Sequence, residues 1–187
     1  FARPQQISLL AEVSQSWTID NGAYSFWGQG TPYPFEAFMD FCYQWRDHPG
    51  LDWIVAPDVI GGSEDENDAL LEKFIDQRPV PIPFIVPVWH LDESVPRLVD
   101  LSNHYDRIAL GSAGEYELGT PEWWGRIGQA MDAICEDGKP RVKLHGLRMM
   151  NPALFGKIPF ASVDSTNVAQ NLGAPRWNSP YQPLTKT

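Results

Sequence analysis

Cysteine is nearly absent: Cys42 and Cys135 are the only two in 187 residues. Two isolated thiols exclude a disulfide framework, and neither has zinc-motif spacing to a His. They are expected to be reduced and mostly buried, as in a cytosolic protein. Cations are scarce as well. Fourteen Lys plus Arg stand against 24 Asp plus Glu, for a formal net charge of −10. That balance speaks against a broad nucleic-acid footprint, which ordinarily needs a basic stripe. Arg141, Lys143, Arg148 and Lys157 form the only local basic cluster, and scattered surface charge is the plainer account of it. No stretch approaches the roughly 20 apolar residues of a membrane span, so no membrane partner is expected. Phe1 stands where an initiator Met would, as expected of a chain missing a short N-terminal segment, and no signal peptide is expected.

What is present is one domain's worth of alternating patterns. Hydrophobic residues make up 43%, enough for a sizeable core. Phe35, Phe38, Phe41, Cys42 and Trp45 recur at helical spacing behind Pro34. Ser63 and Glu66 form a capping box at the head of SEDENDALLEKFID. Strand-like DWIVAPDV and IPFIVPVWH follow and precede helices, although Pro83 and Pro87 each remove a ladder donor from the latter. ESVPRLVDLSNHY reads as a helix, RIALGSAG as strand and loop, and TPEWWGRIGQAMDAICEDG as a helix from Thr120 to a closing Gly138. RVKLHGL, a short helix NPALFGK and the strand FASVDSTN complete the series. Repeated β/α alternation predicts a parallel sheet with outer helices, a TIM-type (β/α) barrel. A complete barrel needs about 250 residues, so a compact or incomplete one is expected here. Residues 1–172 form the barrel domain in this reading, and the Pro-rich segment 173–187 an irregular tail.

Three apolar runs stop at an aspartate and a turn: WTIDNGAYSFW at Asp20, WIVAPDVIGG at Asp58 and FASVDSTN at Asp164. Strand tips of a (β/α) barrel gather on one face, so these carboxylates are predicted to face one pocket. Singly, each is also an ordinary cap or turn residue. LGSAGEY is a Gly-rich strand-to-loop turn whose Gly111 and Gly114 could present backbone amides to a small planar or anionic ligand. That glycine pattern has no dinucleotide or phosphate-loop spacing. Tyr24, Phe26, Trp27 and Trp89 could form a stacking wall for a flipped base, although core packing is the plainer account with eight Trp, six Tyr and nine Phe to bury. His48 and His104 stand in polar helix-end contexts and are expected on the solvent side, whereas His145 ends a strand before Gly146 and is a pocket candidate.

The series Asp-x-Gly-Ala-x-Ser, an apolar strand to Asp58, a strand to His90, LGSAGE, LHGLRM and SVDSTN resembles the tRNA-guanine transglycosylase superfamily. It is most similar to the 7-deazaguanine DNA transglycosylases of phages and bacterial modification clusters, from about Trp17 to Asn171. The resemblance implies an enzyme that exchanges guanine for a 7-deazaguanine derivative by double displacement at the sugar C1′. It implies Asp164 as nucleophile, Asp20 as general acid/base and Asp58 as reader of the base edge. His90, where the family usually has Gln, together with Gly111, Ser112, Tyr24 and His145, completes the implied base-binding set. No cofactor is implied. The implied partners are the base and a nucleic acid, with a possible protein partner or homo-oligomer, in the cytoplasm of a bacterial host or phage-infected cell.

The family's tRNA-acting members carry a zinc site of three Cys and a His, which this chain cannot form. That shifts the expected acceptor from tRNA to DNA. Two other readings stay open on the residues alone. One is a (β/α)-barrel hydrolase, with Asp20, Asp58, His90, His145 and Asp164 around a divalent ion. The other is a non-catalytic binding module of the same fold.

Overall fold

The computed structural model describes residues 7, 12–111 and 116–165. Ser112, Gly114 and the tail 173–187 lie outside the described residues. The first two elements with described bounds are strand β1 (Trp17–Ile19) and a short helix α1 (Ala23–Gly28). Gly22, left-handed at φ +72, turns the chain between them. That helix was not foreseen, because a six-residue helix is too short to carry a periodic signal. Helix α2 (Phe35–Trp45) follows, burying Phe35, Phe38, Phe41 and Cys42 along the stripe its spacing predicts.

Strand β2 (Leu51–Val55) leads to helix α3 (Glu64–Asp76). Its predicted capping box is formed: Ser63 Oγ accepts from the Glu66 N–H, and Glu66 Oε2 accepts from the Ser63 N–H at 2.8 Å. The run IPFIVPVWH is divided. A 3₁₀ turn (Ile82–Phe84) precedes β3 (Ile85–Val86), and β4 (Val88–His90) follows Pro87. Since Pro87 cannot donate to a ladder, the two halves pair on opposite sides, β3 with β2 and β4 with β5.

Helix α4 (Val95–His104) and strand β5 (Arg107–Gly111) come next, then helix α5 (Pro121–Ile134), capped by Thr120. The expectation that α5 runs to Gly138 is corrected. The helix stops at Ile134, and a hairpin of β6 (Cys135–Glu136) and β7 (Lys139–Pro140) turns on Asp137 (φ +50) and Gly138 (φ +74). Asp-Gly with both φ positive is the favoured two-residue hairpin turn, and it outweighs helix continuation. Strand β8 (Lys143–Gly146), helix α6 (Pro152–Phe155) and strand β9 (Ser162–Val163) complete the described chain.

Among the described residues, every ladder apart from the hairpin is parallel, in the orders β1-β2-β3 and β4-β5-β8-β9. The fold is mixed α/β with parallel strands and outer helices. Among the described residues no ladder joins β9 to β1. One face of the strands meets the helices in a core that includes Phe38, Phe74, Leu98, Trp123 and Ile134. The other face carries a small separate cluster of Trp53, Val55, Val86, Val88 and Ala109. Among the described residues no helix is long and apolar enough to cross a membrane. Both cysteines are free, Cys42 buried and Cys135 half-buried. His104 is exposed, as expected, but His48 is half-buried and packs on Trp17 and Trp45.

Candidate active site

Parallel strands bring their C-terminal ends to one side, where loops are free to carry side chains that need not serve the core. A cavity of about 570 Å³ opens there, lined by Asp20, Asp58, His90, Gly111, Tyr24 and Asp164, among others. The three aspartates and three of the base-binding candidates thus share one cavity. His145 is not in its lining but stands directly behind Asp164.

Asp58 and His90 make the buried floor, 8% and 4% exposed. Nε2 of His90 lies 2.8 Å from Asp58 Oδ2, while Asn21 Nδ2 donates to Asp58 Oδ1 at 2.6 Å. The Asn21 amide is oriented unambiguously, because its Oδ1 accepts from the Ala23 N–H and its Nδ2 also donates to the Ala56 carbonyl. Asn21 therefore ties β1 to the Asp58 loop. Burial pulls the His90 pKa down, but the hydrogen bond and charge of Asp58, with Glu93 and Asp92 behind, outweigh it and leave it raised.

A second polar layer supports the floor. Glu93 accepts from the His90 backbone N–H at 2.8 Å, from Arg97 at 2.7 Å and from Asn67 at 2.8 Å. Asn67 accepts from the Val59 N–H at 2.7 Å, so the loops bearing Asp58 and His90 are held by one side chain. Desolvation raises the pKa of buried Glu93, against the opposing charge of Arg97. Sequence reasoning missed Asn21, Asn67, Glu93 and Arg97. Glu93, three residues beyond His90 and four before Arg97, was the available signal for the last pair.

Across the cavity, Asp164 accepts a hydrogen bond at Oδ1 from the Arg148 backbone N–H and faces His145 Nε2 at 3.7 Å from Oδ2. His145 is itself held by Ser162 at 2.9 Å and by the edge of Trp53. Desolvation pushes the Asp164 pKa up, but the His145 and Arg148 interactions prevail and hold it below the usual carboxylate range. Asp20 is shifted the opposite way. Asp20 lines the cavity as an exposed residue, and desolvation by the protein around it raises its pKa. The charges of Asp164 and Asp58 add to that rise, and the Gly22 N–H opposes it. Two carboxyls on one cavity are thereby driven apart, one toward the ionised and one toward the protonated form.

Tyr24 presents a ring at the cavity edge, with the Arg148 guanidinium 3.7 Å from its centroid and exposed Trp27 beside it at 5.5 Å. Trp89 and Phe26 follow the plainer reading and pack instead of forming a wall. Trp89 is wholly buried, its Nε1 donating to the Ser94 carbonyl, because β4 turns that side chain toward the helices. Phe26 packs edge-on against Tyr33. The basic cluster is dispersed as well. Arg148 lies at this cavity, Lys157 rests over Trp124, and Arg141 and Lys143 line a groove at the opposite strand ends.

Among the described residues, no three His, Cys, Asp or Glu side chains come together as a metal-binding group. His90 and His145 instead direct Nε2 toward separate carboxylates, Asp58 and Asp164. The arrangement suits acid/base and nucleophilic chemistry on a neutral or cationic ligand. Compared with protein-family models, with curated proteins and with solved structures, the chain has no match.

Proposed function

We propose that this chain is a base-exchange glycosyltransferase that replaces guanine in nucleic acid, more readily DNA than tRNA, with a 7-deazaguanine derivative. One observation carries the reading: Asp20 and Asp164 line the same cavity, with the Asp20 pKa raised and the Asp164 pKa lowered. Departure of a base leaves an oxocarbenium-like C1′, which an ionised carboxylate captures as a covalent glycosyl–enzyme ester. The C1′–N9 bond breaks as the C1′–O bond to Asp164 forms, and Asp20 gives its proton to the leaving base. The entering base returns a proton to Asp20, attacks C1′ through N9 and releases Asp164. Asp58, with Gly111 and Tyr24 around it, receives the planar base. Both its oxygens already accept one protein hydrogen bond, and each keeps a second lone pair for base N–H groups.

We also read the fold as an incomplete (β/α) barrel. Laid flat, the strands from β1 to β9 would set Asp20 and Asp164 about 24 Å apart, at about 4.8 Å per strand. Both line one cavity, which calls for a strongly coiled sheet. The small cluster on the helix-free face suits a narrow concave side.

The test is incubation of the full chain with isotopically labelled guanine and either guanine-containing DNA or tRNA. Label is expected to enter DNA. Label entering neither polymer would overturn the reading, and label entering tRNA alone would overturn the choice of acceptor.

A further inference from the structure

The edge of the C-terminal cavity carries two large rings that the core does not use. Tyr24 and Trp27 of α1 are 48% and 56% exposed, with centroids 5.5 Å apart and planes tilted by 44°. Contiguous aromatic surface left open beside a cavity marks an interaction site rather than packing. Arg148 extends the ledge, its guanidinium 3.7 Å from the Tyr24 ring centroid. The Arg148 backbone is left-handed at φ +59, which is uncommon outside glycine, and strain of that kind collects at functional sites. That backbone sends its N–H to Asp164 while the side chain reaches Tyr24, so one residue joins the ledge to the proposed nucleophile.

Charge decides what can lie there. Among the described lining residues Arg148 is the one Arg or Lys, against the carboxyls of Asp20, Asp58, Glu117 and Asp164. A duplex is gripped through many phosphates, and a single cation among carboxyls cannot supply that grip. Stacking needs no net charge, but it does need a base with a bare face. Bases inside a duplex have neighbours on both faces, whereas those of an unpaired strand can turn to an exposed ring. We propose that Trp27 and Arg148 hold a single-stranded DNA acceptor, the indole stacking on a nucleotide that flanks the exchanged base and the guanidinium meeting a phosphate beside it. This rests on the base-exchange reading above and names its substrate class. It also explains how a chain with a net charge of −10 can take a polyanion, through rings and one cation rather than a basic stripe.

The test is fluorescence anisotropy of the full chain with a dye-labelled DNA strand that carries an abasic site at the target position, so that the base pocket contributes nothing. The same strand annealed to its complement is the comparison. The single strand is expected to bind about tenfold more tightly than the duplex. Trp27→Ala should weaken single-strand binding about tenfold, and Trp27→Phe, which keeps a ring, only about twofold. Arg148→Gln keeps the backbone N–H to Asp164 and should reduce the slope of log affinity against log salt by about 0.7, the share of one phosphate. No binding of the single strand, a duplex bound as tightly, or Trp27→Ala binding like the unmodified chain would overturn the proposal. So would an equal loss in Trp27→Phe and Trp27→Ala, or an unchanged salt slope in Arg148→Gln. If labelled guanine enters DNA alongside any of those results, the base-exchange reading stands without the ledge. Strand binding that depends on Trp27, with no exchange of guanine, would keep the ledge and overturn the base-exchange reading.

Discussion

Two cavities open at opposite ends of the parallel strands, about 570 Å³ at the C-terminal ends and about 690 Å³ at the N-terminal ends. Their size does not separate them; the condition of their side chains does. In the N-terminal groove, Arg141 donates to the Ala133 carbonyl at 2.7 Å, to the Ile134 carbonyl at 3.4 Å and to Asn103 at 3.3 Å. Its charge closes the C-terminal end of α5, where unpaired carbonyls favour a cation. That is structural work, complete without a ligand. At the C-terminal ends the polar groups strain against each other: one aspartate is pushed up, another is held down, and a buried imidazole nitrogen is left unmatched. Perturbed groups concentrated on one cavity make it the candidate for chemistry.

The comparison breaks first at Asp164. Asp164→Asn preserves size but removes charge, and base exchange should drop by on the order of 10⁴-fold in single-turnover assays. An unchanged rate would make the C-terminal cavity no more chemical than the groove. Asp20→Asn should lower the rate of adduct formation by about 10²–10⁴-fold. In the unmodified chain that rate should follow a bell against pH. It falls as pH drops through the lowered Asp164 pKa, which neutralises the nucleophile, and as pH rises through the raised Asp20 pKa, which removes the proton needed by the leaving base. An Asp20→Asn enzyme that keeps the alkaline limb would assign that limb elsewhere.

Stability measurements sharpen the same contrast. Arg97→Met strands Glu93, 3% exposed, without its cation, and should cost about 3–5 kcal/mol in urea unfolding. A loss below about 1 kcal/mol would mean that the layer behind His90 is not the support described here. The smallest effect belongs to the groove. Arg141→Ala should cost about 1 kcal/mol and leave the exchange rate untouched, and a large fall in rate would move function toward the N-terminal ends.

The aspartates were legible because each closes an apolar run, and a strand's end is where a parallel fold exposes side chains. His90 was legible for the same reason, at the end of β4. Less visible were groups whose role depends on contacts distant in sequence. Asn21 matters through Ala56 and Asp58, and Asn67 through Glu93, pairings that no local spacing announces. Trp89 stayed between wall and core because an aromatic near a strand tip can face either side, and the period of two along β4 turns it inward. The divided strand at Pro87 was half legible: the lost donor was plain, but not that the two halves would pair on different sides. The hairpin at Asp137 and Gly138 went unread because a helical run immediately before it carried the stronger pattern.

The central claim is that Asp164 forms the bond to C1′. Denatured reactions of the full chain with guanine-containing DNA, digested to peptides and mapped by mass spectrometry, test it directly. The account predicts a nucleoside-derived mass on the peptide containing Asp164, retained in Asp20→Asn and absent in Asp164→Asn. A modification found instead on the peptide containing Asp20, surviving Asp164→Asn, would contradict it.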